Sequence, residues 1–417
     1  MKNHQTIFLV LLFFNLTIFL PQTPKAQNAI SVENLKKHVS FLASDKLKGR
    51  GTSTKQERKA AQYIAKQFAQ YGLEPKGIKG FMYPFQFKKS TNPHGSIDST
   101  SPSFESQNVV GFLNNNATNT IIVGAHYDHL GLGMDKNSLD ANPTGKIHNG
   151  ADDNASGTAG MLELARHLTQ NNRTERYNYL FMGFSGEELG LLGSKKYCEN
   201  PTIDLKTVNM MLNLDMIGRL NDSTKRIVVY GVGTAPQFVP LIDSLDADFS
   251  IKKDSSGIGP SDQTSFYNKD IPVLHFFTGQ HGDYHRPSDD VEKINFVGEA
   301  KVLETIVVLL DEIDKLPKLQ FLTTRNSTIN APRFKVSMGI MPDYTFEGEG
   351  VMIDGVTQGK PASKAGVQKG DMIVELGTFE TKSVMQYMEV LSKFRKGDQA
   401  TLKVKRNNQI INLNVEF

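Results

Sequence analysis

Residues 179–194 read Tyr-Leu-Phe-Met-Gly-Phe-Ser-Gly-Glu-Glu-Leu-Gly-Leu-Leu-Gly-Ser. The first six form an uninterrupted apolar run, the length of a strand buried on both faces. Close behind it stand two adjacent carboxylates, Glu187 and Glu188, hemmed in by Gly186, Gly190 and Gly193. The helix dipole alone would favour such a pair on a solvated helix start. Here the surroundings are apolar, which argues against a solvated face. The pattern predicts a strand, the glutamate pair just past its end, and a helix over about 188–198.

Similar runs occur on either side. Apolar stretches at 121–125, 212–215, 227–230 and 273–277 read as strands, and 155–168 and 302–313 have helical spacing. Strands alternating with helices predict an α/β fold with a mostly parallel central sheet flanked by helices. Toward the N-terminus, Val32, Leu35, Val39 and Leu42, then Ala61, Ile64, Ala65 and Phe68, recur at helical spacing. Glycines at 49 and 51 separate the two pieces and Gly72 ends the second. Residues 88–107 are rich in Ser, Thr, Asn and Pro and read as a surface loop.

Open α/β sheets bind ligands beyond the carboxyl ends of their strands, and the chemistry-bearing residues fall there. Residues 124–129 are Gly-Ala-His-Tyr-Asp-His. On an extended segment His126 and Asp128 share one face. A neutral imidazole suits zinc, and a carboxylate on its other nitrogen fixes the tautomer. Residues 150–157, Gly-Ala-Asp-Asp-Asn-Ala-Ser-Gly, set two aspartates before a helix. One fits an N-cap. The other, taken as Asp153, fits a carboxylate shared by two metals, with Asp152 and Asn154 holding the loop. Neighbouring side chains diverge, so Glu188 is assigned to metal and Glu187 to the general base. Asp215 ends an apolar run, where a buried carboxylate needs a metal or an ion pair. In Tyr-His-Arg-Pro-Ser-Asp-Asp, residues 284–290, His285 completes the set. His281 competes for that role, and His275, inside an apolar run, is expected in the core.

In this order the five motifs resemble the zinc aminopeptidase family that also contains glutamate carboxypeptidase II and the transferrin receptor ectodomain. The resemblance spans residues 31–315 and includes Asp-Lys-Leu-Lys-Gly-Arg-Gly at 45–51. It implies two Zn²⁺ ions, one held by His126, Asp153 and Asp215, the other by Asp153, Glu188 and His285. It also implies that Asp128 orients His126, Glu187 deprotonates a bridging water, and Tyr284 stabilises the oxyanion. Gln263 stands where members often have histidine, so neighbouring Asp262 receives no role.

The tail has another texture. Residues 333–417 resemble a PDZ domain of the bacterial protease type. Ser337-Met338-Gly339-Ile340 matches the carboxylate-binding loop, Pro361–Val367 with Lys369–Ile373 matches the domain's signature, and 383–394 matches the helix beside the peptide groove. Such domains bind a partner's C-terminal peptide as an added strand. Pro342, with no N–H, is expected to shorten the docking strand. The expected division is a signal peptide at 1–27, a di-zinc peptidase domain at 28–318, a linker at 319–332 and a PDZ domain at 333–417.

A length of 417 residues accommodates these two domains, and 39% hydrophobic composition supplies their cores. A net charge of +3 gives no ground for a nucleic-acid partner. Lys2 and His4, the apolar run at 7–20 and Ala26 read as a secretory signal, with no membrane span once it is cleaved. Cys198 is the only cysteine, so no intrachain disulfide forms. The sequence is therefore expected to encode an exported, periplasmic or secreted, di-zinc metallopeptidase, an aminopeptidase acting on peptides through a metal-activated water. The alternatives are a carboxypeptidase or dipeptidase of the same family, or a non-catalytic PDZ peptide-binding scaffold.

Overall fold

The computed structural model describes residues 29–88, 101–134, 137–245, 248–324, 336–343, 346, 348–357 and 359–417. The expected signal at 1–27, and residues 325–332 of the expected linker, lie outside them.

Nine strands form the first sheet: β1 (Glu74–Pro75), β2 (Met82–Lys88), β3 (Ser103–Leu113), β4 (Thr120–His126), β5 (Asn178–Phe184), β6 (Val208–Leu214), β7 (Arg226–Tyr230), β8 (Ser250–Asp254) and β9 (Val273–Phe277). Their order is β1-β3-β5-β4-β6-β9-β7-β8, with β2 hydrogen-bonded to β3. The sheet is parallel at its centre, as expected, and antiparallel where the flanks join it. Its middle, β5-β4-β6-β9, is parallel throughout, whereas β3 is antiparallel to β5 and β7 to β9. Parallel neighbours need a long crossover, usually helical. The links from β3 to β4 and from β6 to β7 contain no helix, so the chain cannot keep its direction there.

Side chains alternate between the two faces. On one face Ile121, Val123, Phe181 and Leu212 pack with residues of α1 (Val32–Leu42), α2 (Lys55–Gln70), α3 (Gly157–Gln170), α5 (Phe238–Ser244) and α7 (Phe296–Asp314). On the other, Ile122, Leu180, Phe184 and Met211 meet Tyr197 of α4 (Leu192–Glu199) and Phe266 of α6 (Gln263–Tyr267). β4, β5 and β6 are buried along their whole length, as their largely apolar sequences require.

Two local expectations change. Residues 103–107 are not loop but the start of β3, paired residue for residue with β2. The helix expected from about 188 begins at Leu192. Gly190 (φ +100°) and Leu191 (φ +62°) hold left-handed backbone, which delays the helix and leaves Glu187 and Glu188 in the preceding loop.

Residues 336–417 form a six-stranded antiparallel sheet around Val351, Ile353, Ile373, Leu402 and Val404. It contains β10 (Ile340–Pro342) and β11 (Val351–Val356), flanked by α8 (Pro361–Ala365) and α9 (Val384–Leu391). β10 has only three residues, and its register shifts between Met341 and Pro342. No helix among the described residues is long and apolar enough to cross a membrane.

Candidate metal centre

The four parallel strands end at one place. His126 closes β4, Asp215 follows β6, Glu187 and Glu188 follow β5, and His285 lies in the loop after β9. Asp153 enters from the turn at Ala151–Ser156 that leads into α3. His126 and Asp153 are buried, and Glu187, Glu188, Asp215 and His285 are half-buried.

Asp153 stands between two groups of donors. Its Oδ1 is 3.3 Å from His126 Nε2, which is also 3.3 Å from Asp215 Oδ1. Its Oδ2 is 3.2 Å from His285 Nε2, which is also 3.2 Å from Glu188 Oε2. All five expected ligands are thus brought together, with the two oxygens of Asp153 turned to different sides. His126, Asp153 and Asp215 could hold one metal ion. Zinc binds nitrogen and oxygen donors tetrahedrally at about 2.0 Å, which puts two donors on one ion about 3.3 Å apart. The four spacings agree with that value, and Asp215 Oδ1 is buried with no hydrogen bond. The donor set fits zinc.

The electrostatics point the same way. Burial disfavours a charged His126, but Asp215, Glu187, Asp128 and Asp153 overcome it and raise its pKa well above the usual value. His285 is raised likewise against burial, chiefly by Glu188 and Asp153. Burial would raise Glu188, yet His285 and His129 draw it down to about 2. Such a field favours cations. Glu187 differs: burial, and then the like charges of Glu188, Asp262 and Asp215, push its pKa well up. A carboxyl so placed readily takes up a proton.

The other expected residues take definite places. The Asp128 carboxylate is 3.7 Å from His126 Nδ1, which is nearer the Asp128 carbonyl at 3.2 Å. That carboxylate accepts from the Glu187 amide and from Thr52 Oγ1, tying β4 to the glutamate loop. Tyr284 stacks on the His285 ring, centroids 3.9 Å apart, and lines the cleft. Asp152 accepts from the Gly218 amide, Ser156 Oγ and His281 Nε2, so both Asp152 and His281 are engaged away from the donor groups. Asn154 donates to the Leu214 carbonyl and accepts from the Met216 amide, pinning the turn to the strand end that carries Asp215. His275 is buried, as expected, and burial lowers its pKa to about 4.

Three residues were not read from the sequence. Asp289 accepts the backbone N–H groups of Asp152 and Asp153. Arg50, fully buried, donates to the carbonyls of Leu42, Tyr127, Asn149 and Gly150. Gly49 (φ +69°) is needed beside it, because a Cβ there would lie 2.3 Å from the His148 carbonyl oxygen. His129 Nδ1 is 2.8 Å from Glu188 Oε1. Alternation would send His129 to the face opposite Asp128, but the chain leaves the strand at His126.

An open cleft of about 470 Å³ lies over the donors, walled by Met216, Tyr230, Pro260 and Phe277. Residues 108–310 match Peptidase family M28, and residues 325–417 match the PDZ domain. The chain belongs to peptidase family M28 and carries a C-terminal PDZ domain. It is 29% identical over 239 residues to leucine aminopeptidase 2 of Trichophyton rubrum, covering 48% of this chain and 44% of that one. It is 31% identical over 203 residues to aminopeptidase YwaD of Bacillus subtilis, covering 46% and 41%. The chain therefore spans less than half the length of these curated relatives. Its fold is that of the aminopeptidase from Aneurinibacillus sp. strain AM-1 (TM-score 0.54, 19% identity, 74% of this M28 chain and 98% of that one). The same fold occurs in glutaminyl cyclase of Porphyromonas gingivalis (TM-score 0.53, 18% identity, 69% and 99%).

Proposed function

We propose that this M28 protein is an exported di-zinc aminopeptidase that removes N-terminal residues from peptides. The observation that carries the reading is the division of Asp153 between two donor groups, each with the 3.2–3.3 Å spacing of ligands on one zinc. His126, Asp153 and Asp215 would hold one ion, and Asp153, Glu188 and His285 the other. Zinc bound there would acidify a water and polarise the scissile carbonyl. Glu187 takes the proton of the attacking water and returns it to the leaving amine. Tyr284 donates its hydroxyl proton toward the oxygen on which charge develops. Asp128 holds the backbone of Glu187 in place. The names of the relatives, leucine aminopeptidase 2 and aminopeptidase YwaD, support the amine-side specificity.

The cleft favours an aminopeptidase over a carboxypeptidase or dipeptidase. Among the described residues no lysine or arginine lines it to receive a substrate carboxylate, whereas Glu187 and Asp215 can receive an ammonium. Its walls suit an uncharged, apolar N-terminal side chain. A glutaminyl cyclase would share the fold and the need for a free amine. The two-sided use of Asp153 supports the two-ion hydrolase instead. The PDZ domain would bind a C-terminal peptide at Ser337, Met338, Gly339 and Ile340, over the short edge that β10 offers. Export rests on the N-terminal sequence pattern alone.

The test is a panel of amino-acid anilides with free and acetyl-blocked amines, assayed before and after chelation and zinc return. Cleavage of only the free-amine substrates, lost on chelation and restored by zinc, supports the proposal. Cleavage of blocked substrates, or cyclisation of N-terminal glutamine without hydrolysis, refutes it.

A further inference from the structure

We infer that His129 is a positioning residue for the second zinc: it ties down one oxygen of Glu188 so that the other alone is offered to the ion. The inference rests on the two-zinc reading above. By distance alone His129 could join Asp153 and Glu188 as a ligand. The spacings decide otherwise. Donors sharing a tetrahedral zinc lie about 3.3 Å apart, as His285 Nε2 does from Asp153 and Glu188, at 3.2 Å each. His129 Nδ1 stands 2.8 Å from Glu188 Oε1 and 3.8 Å from Asp153 Oδ2. The first is a hydrogen-bond distance, and the second is wide for two ligands of one ion. The two oxygens of Glu188 are thus divided, Oε1 toward His129 and Oε2 toward His285.

His129 is itself held rigidly. Its backbone N–H donates to the Arg50 carbonyl. Its ring meets His285 edge-on, centroids 5.8 Å apart at 72°. The Cγ–Cδ2 edge of the ring abuts Gly150 (φ +56°), where a Cβ would come within 2.5 Å of both atoms. Nε2 is buried without a hydrogen bond, so among the described residues the contact with Glu188 is the ring's one hydrogen bond. A side chain packed in this way, with Nδ1 aimed at a ligand's spare oxygen, restricts how that ligand can turn. Loss of such outer partners costs 10–100-fold in metal affinity.

The experiment measures zinc binding to the full chain by equilibrium dialysis and chelator competition, for wild type, His129→Phe and His129→Asn. The amide nitrogen of asparagine reaches the position of Nδ1, and phenylalanine keeps the ring and loses the donor. The expected result is a second zinc bound 10–100-fold more weakly by His129→Phe, with first-zinc affinity unchanged, and recovery to within about threefold by His129→Asn. Unchanged second-zinc affinity in His129→Phe overturns the inference. So does equal loss of the second zinc in both variants, which would make His129 a ligand. Wild-type protein that binds a single zinc refutes the two-zinc reading itself, and with it this role, before any variant is compared.

Discussion

Replacing Arg50 by methionine should cost this protein at least about 3 kcal/mol and loosen both metal positions together. The guanidinium makes four hydrogen bonds to buried carbonyls, at 2.6, 2.6, 2.7 and 3.0 Å. Hydrogen bonds from a charged donor contribute about 1.5–3 kcal/mol each, or roughly 6–12 kcal/mol together. Burial works against this. It lowers the arginine's pKa to about 10, although Asp153, Asp128, Asp289 and Glu188 pull it back up. That drop corresponds to about 3 kcal/mol of lost preference for the charged form. The hydrogen bonds win; of the four carbonyls, methionine would leave those of Leu42, Tyr127 and Asn149 without the arginine donor and that of Gly150 with the Ala155 amide alone. Three of them, at Tyr127, Asn149 and Gly150, belong to the segments that carry His126, Asp128 and Asp153. The assay is urea unfolding of metal-free protein by circular dichroism. With a urea dependence of about 3 kcal/mol/M, the midpoint should fall by about 1 M. Arg50→Lys keeps the charge but has no fork to span four acceptors, so it should recover less than half the loss. A loss below about 1 kcal/mol in Arg50→Met, with both zinc affinities intact, would refute the reasoning.

Three further outcomes follow from the site and its surroundings. Glu187→Gln should keep both zincs by elemental analysis while turnover falls 10²–10⁴-fold; surviving activity would remove Glu187 as the base. Asp153→Ala should bind less than one zinc per chain at concentrations that saturate wild type, and two retained ions would reject the bridge. Glu57 provides a pH test away from the ligands. Burial raises its pKa from 4.5 to about 8, against hydrogen bonds from Ser106, Ser185 and the Ser53 amide. Because the folded value lies above the unfolded one, its contribution is fully present below about pH 4.5 and is lost as pH rises toward 8, by about 5 kcal/mol in all. Glu57→Gln, measured metal-free because a nearby dication would favour the carboxylate, should therefore gain stability on wild type across that window. A difference that stays flat with pH would show that burial does not govern this group.

The sequence exposes the middle of the sheet and conceals its edges for one physical reason. β4, β5, β6 and β9 are buried on both faces, so most of their positions are apolar and the runs stand out. β3 begins with exposed Ser103, Phe104 and Glu105 and continues through buried Ser106, Gln107 and Asn108. Those polar residues are buried because each side chain has a partner: Ser106 donates to Glu57, Gln107 Nε2 donates to Tyr127 Oη, and Asn108 donates to the Gly193 carbonyl. Satisfied polar groups bury without apolar character, so the stretch resembles a loop. The antiparallel flanks are hidden differently, because strand direction depends on what connects the strands, and periodicity carries no record of that.

The site divides along the same line. Its proposed ligands were legible because zinc accepts few side-chain types, and His126, Glu188 and Asp215 lie at or just past the ends of apolar runs. The residues that hold those ligands obey no such restriction. Arg50 binds backbone carbonyls, which every residue possesses, so nothing at Tyr127, Asn149 or Gly150 marks them as its partners. Its motif could be matched by resemblance, but no function could be read from it. His129 lies three residues beyond His126, a spacing with no meaning on a strand, and only the turn after β4 brings it to Glu188. Gly150 is the one trace its ring leaves in the sequence, and glycine there also serves the left-handed turn before Ala151. A chemical role that constrains residue type can be inferred from sequence. A role exerted through backbone contacts and ring packing becomes visible only once the chain is folded, and here such contacts fix the geometry on which the proposed zinc chemistry depends.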